Sequence, residues 1–386
     1  MKKIKKDKWI RTKFQDVVLN INKSIKDPLG VGINKSIGLE NIVPNNLKIQ
    51  SYVDIKKEGT KFSKLFKSGQ FLFGSRRAYL RQMALADFDG VCTANIMVFD
   101  IKDSNKIIPG YLSMIIQSDL FVDYASGTSV GSLFPNAKWS SLANFSFPLP
   151  PLEEQKQIAA LFQSIETAME QVDGQEKNLL QLKNKLLRDL FSEKQDFGNH
   201  LKAKDFETVK FEKIAINISE RVEPKKTELT TYVGLEHLDA DNLKIERTGT
   251  PDDVIGTKLK IYKGDIIFGK RRAYLRKVAV SHFDGIASAH SMILRANEKN
   301  IEKDFLPYFM QSDTFMSRAV QISEGSLSPT IKNKTLAVQE FILPKKEKQK
   351  DLIAVFKQFD TTMEQLKQQK ATLKNLKQKL LNEILG

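Results

Sequence analysis

Phe73-Gly-Ser-Arg-Arg-Ala-Tyr-Leu-Arg81 returns almost unchanged as Phe268-Gly-Lys-Arg-Arg-Ala-Tyr-Leu-Arg276. The echo extends outward from this pair. Gly38-Leu-Glu40 recurs as Gly234-Leu-Glu236, Phe88-Asp-Gly90 as Phe283-Asp-Gly285, and Gln117-Ser-Asp119 as Gln311-Ser-Asp313. Gly131-Ser-Leu133, with Pro135 and Lys138, recurs as Gly325-Ser-Leu327, with Pro329 and Lys332. All of these lie at offsets of 194 to 196 residues. Agreement spread over a whole period means a duplicated structural unit, and this organises everything else.

Each unit ends in a different kind of sequence. After Pro148-Leu-Pro-Pro151, and again after Leu343-Pro344, glycine and proline almost vanish and Leu, Lys, Gln and Glu take over. This pattern predicts a long helix opened through proline. Spacings alternating between three and four place Ile158, Leu161, Ile165, Ala168, Val172, Gln175, Leu179, Leu182 and Leu186 on one stripe. The second stripe is Leu352, Val355, Phe359, Thr362, Leu366, Gln369, Leu373, Leu376 and Leu380. A 3.5-residue period held for four heptads, with glutamine in the same slot of each, is a coiled-coil seam.

Helices of about 40 residues at 1.5 Å rise are about 60 Å long, too long to hide a seam inside one small domain. The two seams are expected to pair within the chain as an antiparallel coiled coil. The other reading has each seam meeting a helix of another protein, and the two are compatible. The fold class expected is α+β: two similar mixed α/β domains with pseudo-twofold duplication, at 1–150 and 195–343, separated by two long helices at 151–194 and 344–386. Strands are expected at 71–73, 91–99, 265–268 and 286–294, and helices at 111–121 and 306–320.

The 386 residues suit two ordinary domains plus connecting elements, and 41% hydrophobic with 28% charged residues is a globular composition. Sixty-one Lys+Arg against forty-six Asp+Glu give a net charge of +15 and a pI near 9.5, the footprint of a polyanion's partner. The basic opening stretch lacks a following apolar segment, and no run of about 18 apolar residues occurs, so neither a secretory signal nor a membrane span is expected. A soluble, cytoplasmic protein follows. The single cysteine, Cys92, reads as a small buried strand residue.

The arginine-rich element carries the candidate DNA contacts: Arg76, Arg77, Tyr79 and Arg81 in the first unit, Lys270, Arg271, Arg272, Tyr274 and Arg276 in the second. Guanidinium groups bind phosphate or grip guanine in a bidentate manner, and tyrosine stacks or bonds to the backbone. The competing structural reading has one arginine of each trio paired with an acid, Asp89 or Asp284 for example, and the tyrosine in the core. Residues identical in both units cannot tell two half-sites apart, so these would position the DNA backbone. Base reading is expected where the units diverge, at 41–70 against 237–264 and at 121–129 against 315–324.

Motifs for catalytic chemistry are mostly absent from the sequence. There is no Gly-x-Gly-x-x-Gly, no phosphate-cradling Gly-x-x-x-x-Gly-Lys-Ser/Thr, no cysteine pair for zinc and no Asn-Pro-Pro-aromatic tetrad. The histidines are His200, His237, His282 and His290. The last two align with Asp87 and Asn95, so no shared metal site follows. No catalytic residue and no metal are expected.

Two units that each contain Phe-Gly-x-Arg-Arg-Ala-Tyr-Leu-Arg and run into a proline-led long helix resemble the specificity (S) subunits of type I restriction-modification systems. The resemblance covers essentially the whole chain. The helix-opening motif stands at 148–159 as Pro-Leu-Pro-Pro-Leu-Glu-Glu-Gln-Lys-Gln-Ile-Ala; its second copy, at 343–349, has lysines in place of the second proline pair. By that resemblance each domain reads one part of a bipartite, asymmetric site on double-stranded DNA. The helices then act as a ruler and dock two methyltransferase (M) subunits, with restriction/translocase (R) subunits when present. S-adenosylmethionine, ATP and Mg, together with adenine methylation and cleavage, would belong to those partners. Exposed positions at 153–163 and 347–358 are the expected docking surface. Modules about one DNA turn, roughly 34 Å, apart fall within the reach of such helices. The alternative from a different class is a DNA-bridging scaffold with a coiled coil and no base specificity; a self-contained restriction enzyme is disfavoured by the missing motifs.

Overall fold

The computed structural model describes residues 6–192, 197 and 201–385. His200 and the 194/195 domain boundary lie outside the described residues. The chain divides into two compact units, Met1–Asp173 with Gln368–Gly386, and Gly174–Lys367. Each therefore holds one globular module and a part of both long helices, which run over Leu152–Leu190 and Lys346–Leu385.

In the first unit one sheet has the order Val18–Ile21, Ile96–Ile101, Phe71–Gly74, Met83–Leu85, antiparallel throughout. A second sheet runs Val53–Asp54, Lys35–Ile37, Gly90–Cys92, Lys64–Phe66, with Lys35–Ile37 parallel to Gly90–Cys92. Ile10–Lys13 pairs with Ser146–Leu149, so the module closes just before its long helix begins. The second unit repeats the first sheet with Ala215–Ile218, Ser291–Ala296, Ile266–Gly269 and Val278–Val280, and closes with Phe206–Lys210 against Glu340–Pro344. Its other sheet differs at both edges: Arg221–Val222 is added beside Lys258–Ile261, whereas the first unit adds Val53–Asp54 at the opposite edge, beside Lys35–Ile37.

The expected strands 91–99 and 286–294 are each two, Gly90–Cys92 with Ile96–Ile101 and Gly285–Ala287 with Ser291–Ala296, and the expected helices 111–121 and 306–320 are each two. Ser118 and Ser312 cause the helix breaks. Both are extended, and each hydroxyl accepts from the backbone N–H three residues on, Phe121 or Phe315, capping a new helix.

Within each unit the two long helices run antiparallel. In the first, Lys377 reaches Glu166 and Lys370 reaches Asp173. In the second, Lys183 meets Asp360, while Leu187 and Leu190 share a core with Leu352, Ile353 and Phe356. Both helices also pack on the module, and this shifts the buried stripe away from a simple two-helix seam. Ile165, Val172, Leu352, Leu366 and Leu380 are buried; Ile158, Leu179, Leu186, Phe359 and Leu373 are half-buried. Leu161, Leu182, Val355 and Leu376, expected in the seam, are exposed. Phe162, Lys183, Phe356 and Leu381 carry the burial in the neighbouring registers.

Two glutamines fasten the helix starts to the modules. Gln155 and Gln349 are fully buried: Gln155 Nε2 donates to the Pro150 and Lys106 carbonyls while its Oε1 accepts from Ile108 N–H. Gln349 donates to the Pro344 carbonyl and accepts from Glu302 N–H. Satisfying both ends of a buried amide fixes the angle at which each helix leaves its module.

Candidate nucleic-acid interface

The strand Phe71–Gly74 runs into Ser75, whose N–H and hydroxyl both bond to the Asn95 carbonyl, and the chain then turns through a one-turn 3-10 helix, Ala78–Leu80. Arg77 and Arg81 flank this turn in the left-handed region, at φ 55° each; Arg272 and Arg276 repeat the geometry around Ala273–Leu275 at 58° and 54°. Side chains other than Gly, Asn and Asp rarely adopt it, so four arginines held there mark a turn imposed by its surroundings.

Those surroundings are the other repeated motifs. Gln82 Nε2 donates to the Leu39 and Ile42 carbonyls, and Lys277 Nζ to that of Leu235, tying the turn to the Gly-Leu-Glu segments. Asp89 and Asp284 accept from the backbone N–H groups of Ser68 and Lys263 and are not arginine partners. On the other side, Arg77 N–H donates to the Pro135 carbonyl at 2.7 Å and Arg272 N–H to that of Pro329 at 2.8 Å. The repeated motifs are thus neighbours in space.

The arginines divide into two groups. Arg81 bonds the Asp119 carboxylate and the Gln117 carbonyl. Arg276 bonds Asp241 at 2.7 Å, Asp313 at 3.0 Å and the Gln311 carbonyl at 2.6 Å. These two guanidiniums, also among the residues expected at the DNA, hold the turn to the Gln-Ser-Asp helix break, because a carboxylate sits within reach of each. Among the described residues, no carboxylate ion-pairs with Arg76, Arg77, Arg271 or Arg272. Arg76 and Arg77 lie over the Phe134 ring, 4.2 and 4.9 Å from its centroid, and Arg77 Nε is buried without a hydrogen-bond partner. Arg271 and Arg272 both donate to Ser328 Oγ, at 3.0 and 3.3 Å. Aromatic and hydroxyl thus occupy the same place in the two loops, one difference between otherwise matching sites.

Tyr79 and Tyr274 are exposed, beside Leu80 and Leu275, and not in the core. Lys270 is half-buried, and burial, then nearby Arg221, push its ammonium below the ordinary lysine range. His290 lies 3.2 Å from Arg271, and burial, followed by Arg271, Lys270 and Lys258, lowers its pKa. His237 serves locally: its Nδ1 accepts from Gly234 N–H, as Asn41 Oδ1 does from Gly38 N–H.

Among the described residues no three His, Cys, Asp or Glu side chains are grouped as a metal-ligand set, and no helix is long and apolar enough to cross a membrane. Cys92 is buried beside Lys64, and burial pushes its thiol up to about 12.

The sequence profile of the type I restriction modification DNA specificity domain matches residues 22–182 and again 204–375. The MjaVIII specificity subunit of Methanocaldococcus jannaschii is 23% identical over 311 residues, 74% of this chain and 71% of that protein. The putative MjaX specificity subunit of the same organism is 23% identical, over 94% of this chain and 88% of its own length. The EcoDI specificity subunit of Escherichia coli is 25% identical over 185 residues, and that match spans only 40% of the relative. Two solved structures share the fold over 98% of the chain: one from work on assembly and conformational transition of the type I R-M system, at TM-score 0.64 and 19% identity, and a type I restriction-modification S subunit from M. genitalium, at 0.58 and 14%. Subunits of this family are in general not themselves catalytic. Two tandem profile matches, the duplicated arginine turns and the long helices agree: the chain belongs to the type I restriction-modification DNA specificity family, and its role is that of a DNA sequence-specificity subunit.

Proposed function

We propose that each module reads one half of a bipartite, asymmetric duplex site. Arg76, Arg77 and Tyr79 in the first module, and Lys270, Arg271, Arg272 and Tyr274 in the second, grip the DNA backbone. The observation that carries this is the pair of matching turns whose outer arginines have no carboxylate partner while the inner arginine has one. A cation without an internal counter-ion is available for phosphate. Base selection falls to the segments where the modules diverge, 41–70 against 237–264 and 121–129 against 315–324, the first of which contains the sheet edge Val53–Asp54. The long helices dock two methyltransferase subunits, and restriction subunits when present. This chain performs no chemistry of its own.

The test is co-expression with the cognate methyltransferase subunit followed by sequencing of methylated adenines in the host DNA. A gapped two-part motif is expected, dependent on this chain, with each half changing separately when 41–70 or 237–264 is exchanged. A methylation pattern indifferent to those exchanges would overturn the assignment of base reading.

A further inference from the structure

Among the described residues, three large apolar side chains stand almost wholly in water: Leu327 at 90% exposure, Ile255 at 87% and Leu133 at 81%. Two of the three are the same residue at the same position of the repeat. Leu133 and Leu327 occupy the tips of two loops that are built alike. Val130 and Asn136 exchange both backbone hydrogen bonds at 3.0 Å, and Glu324 and Thr330 do so at 3.1 and 2.9 Å. Gly131 and Gly325, at φ 110° and 104°, make the turn that other residues rarely make. The far end of each loop is pinned by the Pro135 or Pro329 carbonyl to the unpaired arginine of the DNA-gripping turn. A leucine held out on a closed loop adds nothing to its own module's core, and its repetition points to a target common to both half-sites.

We propose that Leu133 and Leu327 are apolar wedges that enter the duplex at a base step in each half-site and unstack it. This rests on the DNA-reading proposal above. The arginines at the loop base hold the phosphates, a layer in which a leucine gains nothing; its gain comes where it reaches base faces and leaves water. Because both modules carry the same side chain, the wedge does not read sequence directly. It selects steps that open readily, adding shape-based discrimination to the contacts of the divergent segments.

The experiment uses the full chain and duplexes bearing the methylated motif, with 2-aminopurine placed in turn along each half. Wild-type chain should raise the fluorescence at one step per half. Leu133→Ala should abolish the rise in one half only, and Leu327→Ala in the other. Each variant should lose about tenfold in affinity and recover it on a duplex carrying a mismatch at that step, where the unstacking cost is already met. Leu133→Phe, which keeps an apolar wedge, should retain both signals. Variants that unstack and bind like wild type would overturn the wedge while leaving the DNA reading intact. So would variants that lose only the methyltransferase subunit, which would make the loops a protein contact. A wild-type chain that binds no duplex would overturn the DNA reading and the wedge together.

Discussion

Lys183 Nζ lies 2.7 Å from Asp360 Oδ1, a half-buried pair between the two long helices, and the other carboxylate oxygen accepts from Tyr308 at 2.6 Å. The first unit holds its mate, Lys377 with Glu166 at 2.5 Å, with the donor and acceptor helices exchanged. A paired charge inside a helix interface penalises other registers, because sliding strands the lysine without its partner. Lys183→Ala should lower unfolding stability in urea by about 1–3 kcal/mol, discounted for the exposure of Asp360. Lys183→Asp with Asp360→Lys should recover part of it.

The two kinds of arginine should separate cleanly. Arg77→Gly relieves a left-handed backbone, a gain of up to about 1 kcal/mol, and removes the proposed phosphate contact. Urea denaturation should show no loss of stability while DNA mobility-shift affinity falls about tenfold or more. Arg81→Ala should do the reverse, costing about 1.5–3 kcal/mol of stability from its charged hydrogen bonds. Equal effects on both properties in both variants would contradict the division.

His290 is expected to make DNA affinity depend on pH in one module. Its folded pKa is lowered by burial and by Arg271, Lys270 and Lys258, so between that value and the ordinary one, about 6.5, the unfolded chain binds more protons. Stability of the second unit therefore declines as pH falls through this window. A bound polyanion raises the pKa again, so DNA binding takes up a proton and affinity should rise as pH drops from 7 to 6. In His290→Asn, which copies Asn95 of the first module, this rise should vanish from binding titrations.

Cys92 should be inert in the native protein, its thiol raised to about 12 by burial. A thiol reagent such as dithionitrobenzoate should modify it only at the rate of unfolding, and promptly in denaturant. Fast modification of native protein would mean that the strand Gly90–Cys92 opens locally.

The duplication and the long helices could be read in the sequence because a repeat displays its own boundaries and a heptad stripe its own period. Position within a packed environment could not. Leu161, Leu182, Val355 and Leu376 fit a two-helix period, yet the modules also claim a face of each helix and turn the stripe toward Phe162, Lys183, Phe356 and Leu381. Arg81 and Arg276 look like their neighbours in sequence but point back to Asp119 and Asp313. A signal for this existed: the acid recurs with the arginine, at an offset of 194 residues against 195. Ser118 and Ser312, each followed by Asp, likewise carried a helix-cap signature inside what reads as one helix.

The core of the first unit includes Leu380, Leu381, Ile384 and Leu385, whereas the second unit is one uninterrupted stretch. During synthesis, then, the module made first waits longest. Its apolar face stays open on the nascent chain until residues 380–385 have left the ribosome, while the later-made module can already close around Leu187, Leu190 and Phe356. Order of translation and order of completion are inverted, and the vulnerable species is a chain whose second unit has closed while its first still lacks the stretch from Gln368 onward.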